Sequence, residues 1–298
     1  MTHSVVIVTR NRPHEVQRLL RALVEQTVVP DEVLLIDASD AAVDSERPHL
    51  AEGLALRIIP SHAGLSAQRN IGLREARGDI LTYFDDDAVP ASEYCGRVLS
   101  LFRSDDSAVA LGGINLDLPR VGAMEYALRV ILQVQTRRGT HGYRRSGIPD
   151  PTGPYDATRV HLLPSTALSL RRAACAGLSF EERWLSGEPL GLATGRCFGE
   201  DAYFTAQLAE RGTLRLCPGA AFRHVPSSRT RESTFITQAL YVYSLRWISD
   251  RAARTRLARA LRLWALLGQG VINLAQSLRF AHAGYLRGYL RAMRAPLR

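Results

Sequence analysis

The stretch Ile80-Leu81-Thr82-Tyr83-Phe84-Asp85-Asp86-Asp87-Ala88-Val89-Pro90 constrains the chain more than any other. Its apolar, β-prone half reads as a buried strand over 80–84. The strand runs straight into three consecutive carboxylates, with a proline close behind. Parallel α/β sheets bind ligands beyond the carboxyl ends of their strands, and that is where the aspartates fall. In an extended chain Asp85 and Asp87 share a face and Asp86 points away. Two carboxylates on one face repel each other unless a positive charge lies between them, and a hard divalent cation carrying a phosphorylated ligand would supply it. A lone acidic triplet is more often a solvated turn, so the surrounding sequence has to decide.

Strand and helix patterns alternate around this stretch. Ser4–Thr9 reads as a first buried strand, and Pro13 opens a helix in which Val16, Leu19, Leu20 and Leu23 recur at helical spacing. Glu32–Ile36 is a second strand, closed by Asp37, and Leu54–Ile59 a third. Ser66–Ala76 is a helix leading into the acidic strand. Further strands are expected at Val109–Leu116, Ser165–Leu170, Thr213–Cys217 and Ala220–His224, and helices at Val121–Val134, near Arg172–Ala176 and from Glu200 to Gly212. This order predicts a parallel α/β sheet with right-handed crossovers. Two glycine-containing stretches, Thr136–Arg159 and Leu185–Phe198, read as long loops of the kind that carry function.

Charge divides the chain. All 38 basic residues are arginine, and the formal net charge is +9. Residues 229–298 hold 13 arginines against Glu232 and Asp250, for +11, so the remainder is slightly acidic at −2. The tail is helical and amphipathic: Arg287, Arg291, Arg294 and Arg298 share one face, and Tyr285, Leu286, Tyr289, Leu290 and Met293 share another. Such a helix either packs its apolar side on the core or lies on an anionic membrane. The apolar run 263–278 is interrupted by Gln269, Asn273 and Gln276, which argues against a membrane-spanning helix. Cys95, Cys175, Cys197 and Cys217 are widely spaced and read as reduced thiols, not a disulfide frame or zinc site. The expected location is cytoplasmic, with peripheral association on the inner face of the membrane as the second reading of the tail.

The ordered set of motifs resembles glycosyltransferase family 2, inverting enzymes of the GT-A fold. Val5-Val6-Ile7-Val8-Thr9-Arg10-Asn11-Arg12 is similar to that family's first strand and nucleotide loop. Val33-Leu34-Leu35-Ile36-Asp37-Ala38-Ser39 is similar to its second strand, with Ala38 where the family often has Asp or Asn. Gly64-Leu65-Ser66-Ala67-Gln68-Arg69-Asn70-Ile71-Gly72 resembles its Ala-Arg-Asn helix start, Asp85-Asp86-Asp87 its D-x-D motif, and Phe180-Glu181-Glu182-Arg183 its Phe-Asp-Glu segment. Gly199-Glu200-Asp201 resembles the acidic pair before its catalytic helix, and His224 its late histidine.

The resemblance implies a GT-A catalytic domain over 1–228, with a Rossmann-like sheet mixed at its end, and a basic helical extension over 229–298. It implies a nucleotide-diphosphate sugar donor, UDP- or dTDP-sugar favoured, held by Thr9, Arg10, Asp37, Arg69, Asp85 and Asp86. A Mn²⁺ or Mg²⁺ ion would be held by Asp85, Asp87 and His224, with Asp201 as base and Glu200 shaping the site. The acceptor would be a glycan or lipid-linked hydroxyl, and Trp184 is a candidate to stack on a sugar ring. A catalytically silent nucleotide-sugar binder is the first alternative. Nucleic-acid binding through the basic tail is the second, and it is not expected, because the D-x-D domain is slightly acidic and carries no nucleic-acid-binding signature.

Overall fold

The computed structural model describes residues 1–40, 52–117, 122–132, 142–143, 146, 149–150, 159–192, 197–225 and 233–297. In chain order the elements are β1 (His3–Thr9), α1 (Pro13–Val24), β2 (Glu32–Asp37), β3 (Leu56–Pro60), α2 (Leu65–Glu75), β4 (Ile80–Asp85), β5 (Ala88–Pro90), α3 (Tyr94–Ser104) and β6 (Ala108–Asn115). They continue with α4 (Ala123–Ile131), β7 (Gly142–Tyr143), β8 (Pro149–Asp150), β9 (Arg159–Val160), β10 (Ala167–Arg171), α5 (Glu200–Leu208), β11 (Thr213–His224), α6 (Thr234–Ala252), α7 (Arg256–Arg279) and α8 (Gly284–Arg294).

The chain forms two compact units. The first comprises Met1–Leu118, Thr158–Phe180 and Phe204–Ser228; the second comprises Pro119–Ala157, Glu181–Tyr203 and Arg229–Arg298. This division differs from a single boundary after residue 228, since residues 119–157 and 181–203 group with the C-terminal helices. Most of the loop expected at 136–159 lies outside the described residues.

The first unit is built on a mixed sheet of strand order β3-β2-β1-β4-β10-β6-β11-β5, with β9 paired to β11. β3, β2, β1 and β4 are mutually parallel. β10 then runs antiparallel to both β4 and β6. The apolar runs of β1 and β2 are buried along nearly their whole length, as expected of parallel strands covered on both faces. α1 lays Val16, Leu19, Leu20 and Leu23 into the same core cluster as Val5, Ile7, Val33 and Leu35. Each such side chain, fully buried, contributes about 1.5–3 kcal/mol. α3, which the sequence reading passes over together with β5, adds Val98, Leu99 and Phe102. α2 approaches β1 so closely that a Cβ on Gly72 would lie 2.5 Å from a Val6 methyl.

Two other expectations change. The short strands at 213–217 and 220–224 are one strand, β11, with a register shift between Leu216 and Ala221; Pro218 and Gly219 (φ +83°) bulge it without breaking it. The helix expected near 172–176 is a single 3₁₀ turn over Arg172–Cys175.

In the second unit α6 supplies Leu240, Tyr243, Trp247 and Ile248 to a core that also takes Tyr289 and Ala292 of α8. Leu286 and Met293 pack on the same core. The Tyr289 hydroxyl donates to the Leu266 carbonyl at 3.1 Å, and Arg291 donates through Nε to the Leu190 carbonyl at 3.1 Å. Most of the apolar face of α8 is therefore consumed by packing; Leu290 stays exposed beside the exposed arginines Arg287, Arg291 and Arg294. Trp184 is half-buried against this core, with the Arg183 guanidinium over its ring. Among the described residues no helix is long and apolar enough to cross a membrane.

Candidate active site

The parallel register sets three strand ends level. Thr9 of β1 lies opposite Asp37 of β2, and Val8 lies opposite Asp85 of β4. Asp37 is buried, and its Oδ1 accepts the Ser39 backbone N–H at 2.9 Å together with the Ser39 hydroxyl. The loops after β1 and β2 are knit by Asn11, whose side chain donates to Asp40 and accepts from the Asp40 backbone N–H. Asn11 adopts φ +57°, a left-handed conformation that asparagine tolerates better than most residues. Arg10 is exposed and donates to Asp40 at 3.2 Å.

Thr9 is bonded through both its carbonyl and its hydroxyl. Its carbonyl accepts the Ala38 N–H at 3.0 Å and the Gln68 side-chain amide at 2.9 Å, while its hydroxyl donates to Asp86 Oδ2 at 2.8 Å. The same Gln68 amide also donates to the Ile36 carbonyl at 2.9 Å, which ties α2 to the ends of β1 and β2.

The acidic run does not continue the strand alternation. β4 ends at Asp85, and Asp86–Asp87 form a turn into β5. Asp85 receives Arg69 Nη2 at 2.9 Å. The Arg69 side chain is 1% exposed, its carbonyl accepts the Tyr83 hydroxyl at 2.8 Å, and its guanidinium lies over the Phe180 ring. Arg69 is thus a buried cation locked beside the acidic turn. Asp86 and Asp87 instead converge on Arg12, which donates from one nitrogen to Asp86 Oδ1 at 2.7 Å and to Asp87 Oδ2 at 3.2 Å.

His224 reaches this turn because β11 pairs antiparallel with β5, setting His224 opposite Ala88. Its Nε2 lies 3.1 Å from Asp87 Oδ1. Asp117 fixes this strand end by accepting the His224 backbone N–H at 3.0 Å and Arg223 at 3.2 Å.

The electrostatics follow from burial and partners. Burial pushes the Asp86 carboxyl up to about 6, against the pull of Arg12 and the Thr9 hydroxyl. Asp87 is also buried, but hydrogen bonds and charge from His224 and Arg12 outweigh the desolvation and hold it below the ordinary carboxylate range. His224 is raised, chiefly by its hydrogen bond with Asp87, with desolvation opposing and the charges of Asp85 and Asp117 adding.

Among the described residues no three His, Cys, Asp or Glu side chains form a closed metal cage. Asp87 and His224 form an adjacent oxygen–nitrogen donor pair. Divalent ions that serve phosphorylated ligands commonly use one or two protein donors and take the rest from phosphate and water, so this pair fits such an ion. Nitrogen among the donors suits Mn²⁺ better than Mg²⁺.

Glu200 and Asp201 open α5 in the second unit, directly after Gly199 at φ +76°. A Cβ on Gly199 would lie 2.7 Å from Ile248. Glu200 is buried; Asp201 is partly exposed, and its Oδ1 accepts the Ala202 N–H at 2.7 Å. The next turn anchors the pair, with Ala202 in the core and the Tyr203 ring edge-on to Trp247 at 5.0 Å.

Arg12, Gln68 and Asp117 are the residues that the sequence reading did not single out. For Arg12 the available signal is charge balance: three adjacent carboxylates call for a positive partner, and Arg12 lies in the loop that follows β1.

The mixed sheet, with its acidic turn at the end of β4, has the GT-A fold. The sequence profile of glycosyl transferase family 2 matches residues 4–164, more than half of the chain, and the chain belongs to that family. It is 34% identical over 88 residues to the uncharacterized glycosyltransferase YwdF of Bacillus subtilis, a match covering 29% of this chain and 33% of that protein. The match therefore spans only about a third of that relative. Among solved structures, S. aureus TarS 1–349 in complex with UDP-GlcNAc superposes with a TM-score of 0.54 at 15% identity, covering 97% of this chain and 89% of that one. The mannosyltransferase PcManGT from Pyrobaculum calidifontis, in complex with GDP-Man and Mn²⁺, gives 0.54 at 16% identity, covering 98% and 84%. At these identities the likeness establishes the fold.

Proposed function

We propose that this chain transfers a sugar from a nucleotide-diphosphate donor to a hydroxyl of a glycan or lipid-linked acceptor, by a single displacement with inversion. The observation that carries the reading is the convergence of Asp37, Asp85, Asp86, Asp87 and His224 at the carboxyl ends of β2, β4 and β11 in a family 2 chain. Asp37 accepts from the nucleotide base, and a pyrimidine imide N–H, as in UDP or dTDP, offers the matching donor. Asp87 and His224, with Asp85, would hold a Mn²⁺ or Mg²⁺ ion, whose contribution is to neutralise charge on the departing diphosphate. Arg69 contributes a fixed positive charge at the same turn.

Asp201 is proposed as the base. The acceptor oxygen bonds to the anomeric carbon, the bond from that carbon to the diphosphate breaks, and the acceptor proton passes to the Asp201 carboxylate. Glu200, beside it at the start of α5, is proposed to shape the site.

Calorimetric titration with UDP, dTDP and GDP, each with and without Mn²⁺, tests the reading. One nucleotide should bind in a metal-dependent way, and Asp87→Ala should abolish that dependence. A folded protein that binds none of the three would refute it.

A further inference from the structure

Helix α7 carries an exposed apolar stripe, while its buried face mixes Ala265 and Leu266 with the amides of Gln269 and Asn273. Its side chains Leu263, Trp264, Leu267, Val271, Leu274 and Leu278 are all exposed, Leu267 by 63% and Leu278 by 75%. At 100° per residue these six fall within one arc of about 100°. The opposite side buries polar groups: Gln269 is buried, and Asn273 is 0% exposed with its amide on the Gln269 carbonyl at 2.7 Å. A surface helix normally hides its leucines and shows its amides.

α4, in the same unit, extends the surface. The Trp264 indole donates to the Ile131 carbonyl at 2.9 Å, and Gly268 faces Leu132. Met124, Leu128 and Ile131 are exposed, Met124 by 87%. A contiguous apolar surface of this extent marks an interaction face.

The charges around the face identify its occupant. No acidic residue follows Asp250 in the chain, and Glu125 on α4 is paired with Arg129 at 2.7 Å. Exposed Arg254, Arg256 and Arg259 lie at one end of α7, and exposed Arg279 lies at the other. A second copy laid face to face would set basic end against basic end in either orientation, at a repulsive cost. An anionic bilayer complements both features, since acyl chains cover the leucines and headgroups meet the arginines. The 24 residues of α7 extend about 36 Å at 1.5 Å per residue, and the stripe covers one side only, which suits a helix lying in the interface. An exposed tryptophan in the stripe suits the same depth.

We propose that α7, flanked by α4, is a docking face for an anionic membrane surface. This inference does not rest on the transfer reaction. The full-length protein is mixed with phosphatidylcholine vesicles, with and without phosphatidylglycerol, and separated by flotation. It should float with the anionic vesicles, less so at high salt, and Trp264 emission should shift to the blue. Leu267→Gln combined with Leu274→Gln should lower partitioning by about ten-fold or more without changing nucleotide binding or melting temperature. Trp264→Phe should remove the blue shift. Three results would overturn the proposal: no flotation of the unaltered protein, undiminished flotation of the double variant, or a native dimer that the double variant converts to monomer. The last would assign the face to a second copy.

Discussion

Arg12 and Asp86 form a 2.7 Å ion pair, and the same guanidinium nitrogen reaches Asp87 at 3.2 Å. One cation of the chain thus serves two buried carboxylates, one of which is proposed to hold the metal. Arg12→Gln leaves both acids without it. The variant should lose about 1–3 kcal/mol of stability, and Mn²⁺ should restore more of that loss than it adds to the unaltered protein. With its competitor removed, Mn²⁺ should also bind more tightly when no nucleotide is present. Urea unfolding with and without Mn²⁺, and free Mn²⁺ counted by electron paramagnetic resonance, check both points. Equal stability and equal affinity would show that Arg12 is a bystander.

Asp201→Asn should reduce transfer by about a hundred-fold or more, the scale of a lost general base, and leave nucleotide affinity nearly intact. The fold should tolerate the change, because the amide oxygen can still accept the Ala202 N–H. Substantial remaining turnover would mean that the proton goes elsewhere.

His3 gives a pH signature away from the proposed site. It is fully buried on β1, and its Nε2 lies 2.8 Å from the Thr82 hydroxyl, which in turn contacts Ser169. Burial lowers its pKa from 6.5 to about 4, with Asp31 partly opposing. The unfolded chain therefore binds the proton more readily between those values, so the neutral histidine stabilises the fold above pH 6.5 and that advantage is lost as pH falls towards 4. The change is worth about 2–3 kcal/mol. His3→Gln does not titrate, so the stability difference between His3→Gln and the unaltered protein should shift by that amount between pH 7 and pH 4 in favour of the variant. A pH-independent difference would place the proton elsewhere.

Gly72→Ala tests the seat of α2. The added methyl meets Val6 at 2.5 Å in the buried β1–α2 contact, which should cost about 1–3 kcal/mol through overpacking. Because Gln68 and Arg69 ride on the same helix, nucleotide affinity should fall as well. Thermal melting and calorimetry read the two effects separately, and an unchanged melting temperature would show that the helix shifts freely.

The carboxyl ends of the central strands were legible because β1, β2 and β4 are apolar runs that end in polar residues, a pattern local to each segment. β5 and α3 were not read: β5 has three residues, and α3 has no polar cap bonding its first turn. The roles within the acidic turn were also hidden. Which carboxylate meets Arg12 and which meets Arg69 depends on the chain leaving the extended conformation at Asp86, and His224 meets Asp87 because β11 pairs with β5. The tail shows a further limit. Periodicity finds the two faces of α7 and α8, but only tertiary packing decides which face turns inward, and the two helices resolve it in opposite ways.

β10 lies between β4 and β6, antiparallel to both, and the chain reaches it only at residue 167. Until then β4 and β6 each present an open strand edge to other molecules. The segment that carries the family match, 4–164, stops just short of this strand, so it is a unit of ancestry and not of folding. A nascent or proteolysed chain ending there would leave both of these edges open; seven more residues would close them, and the far edge of β6 would still wait for β11.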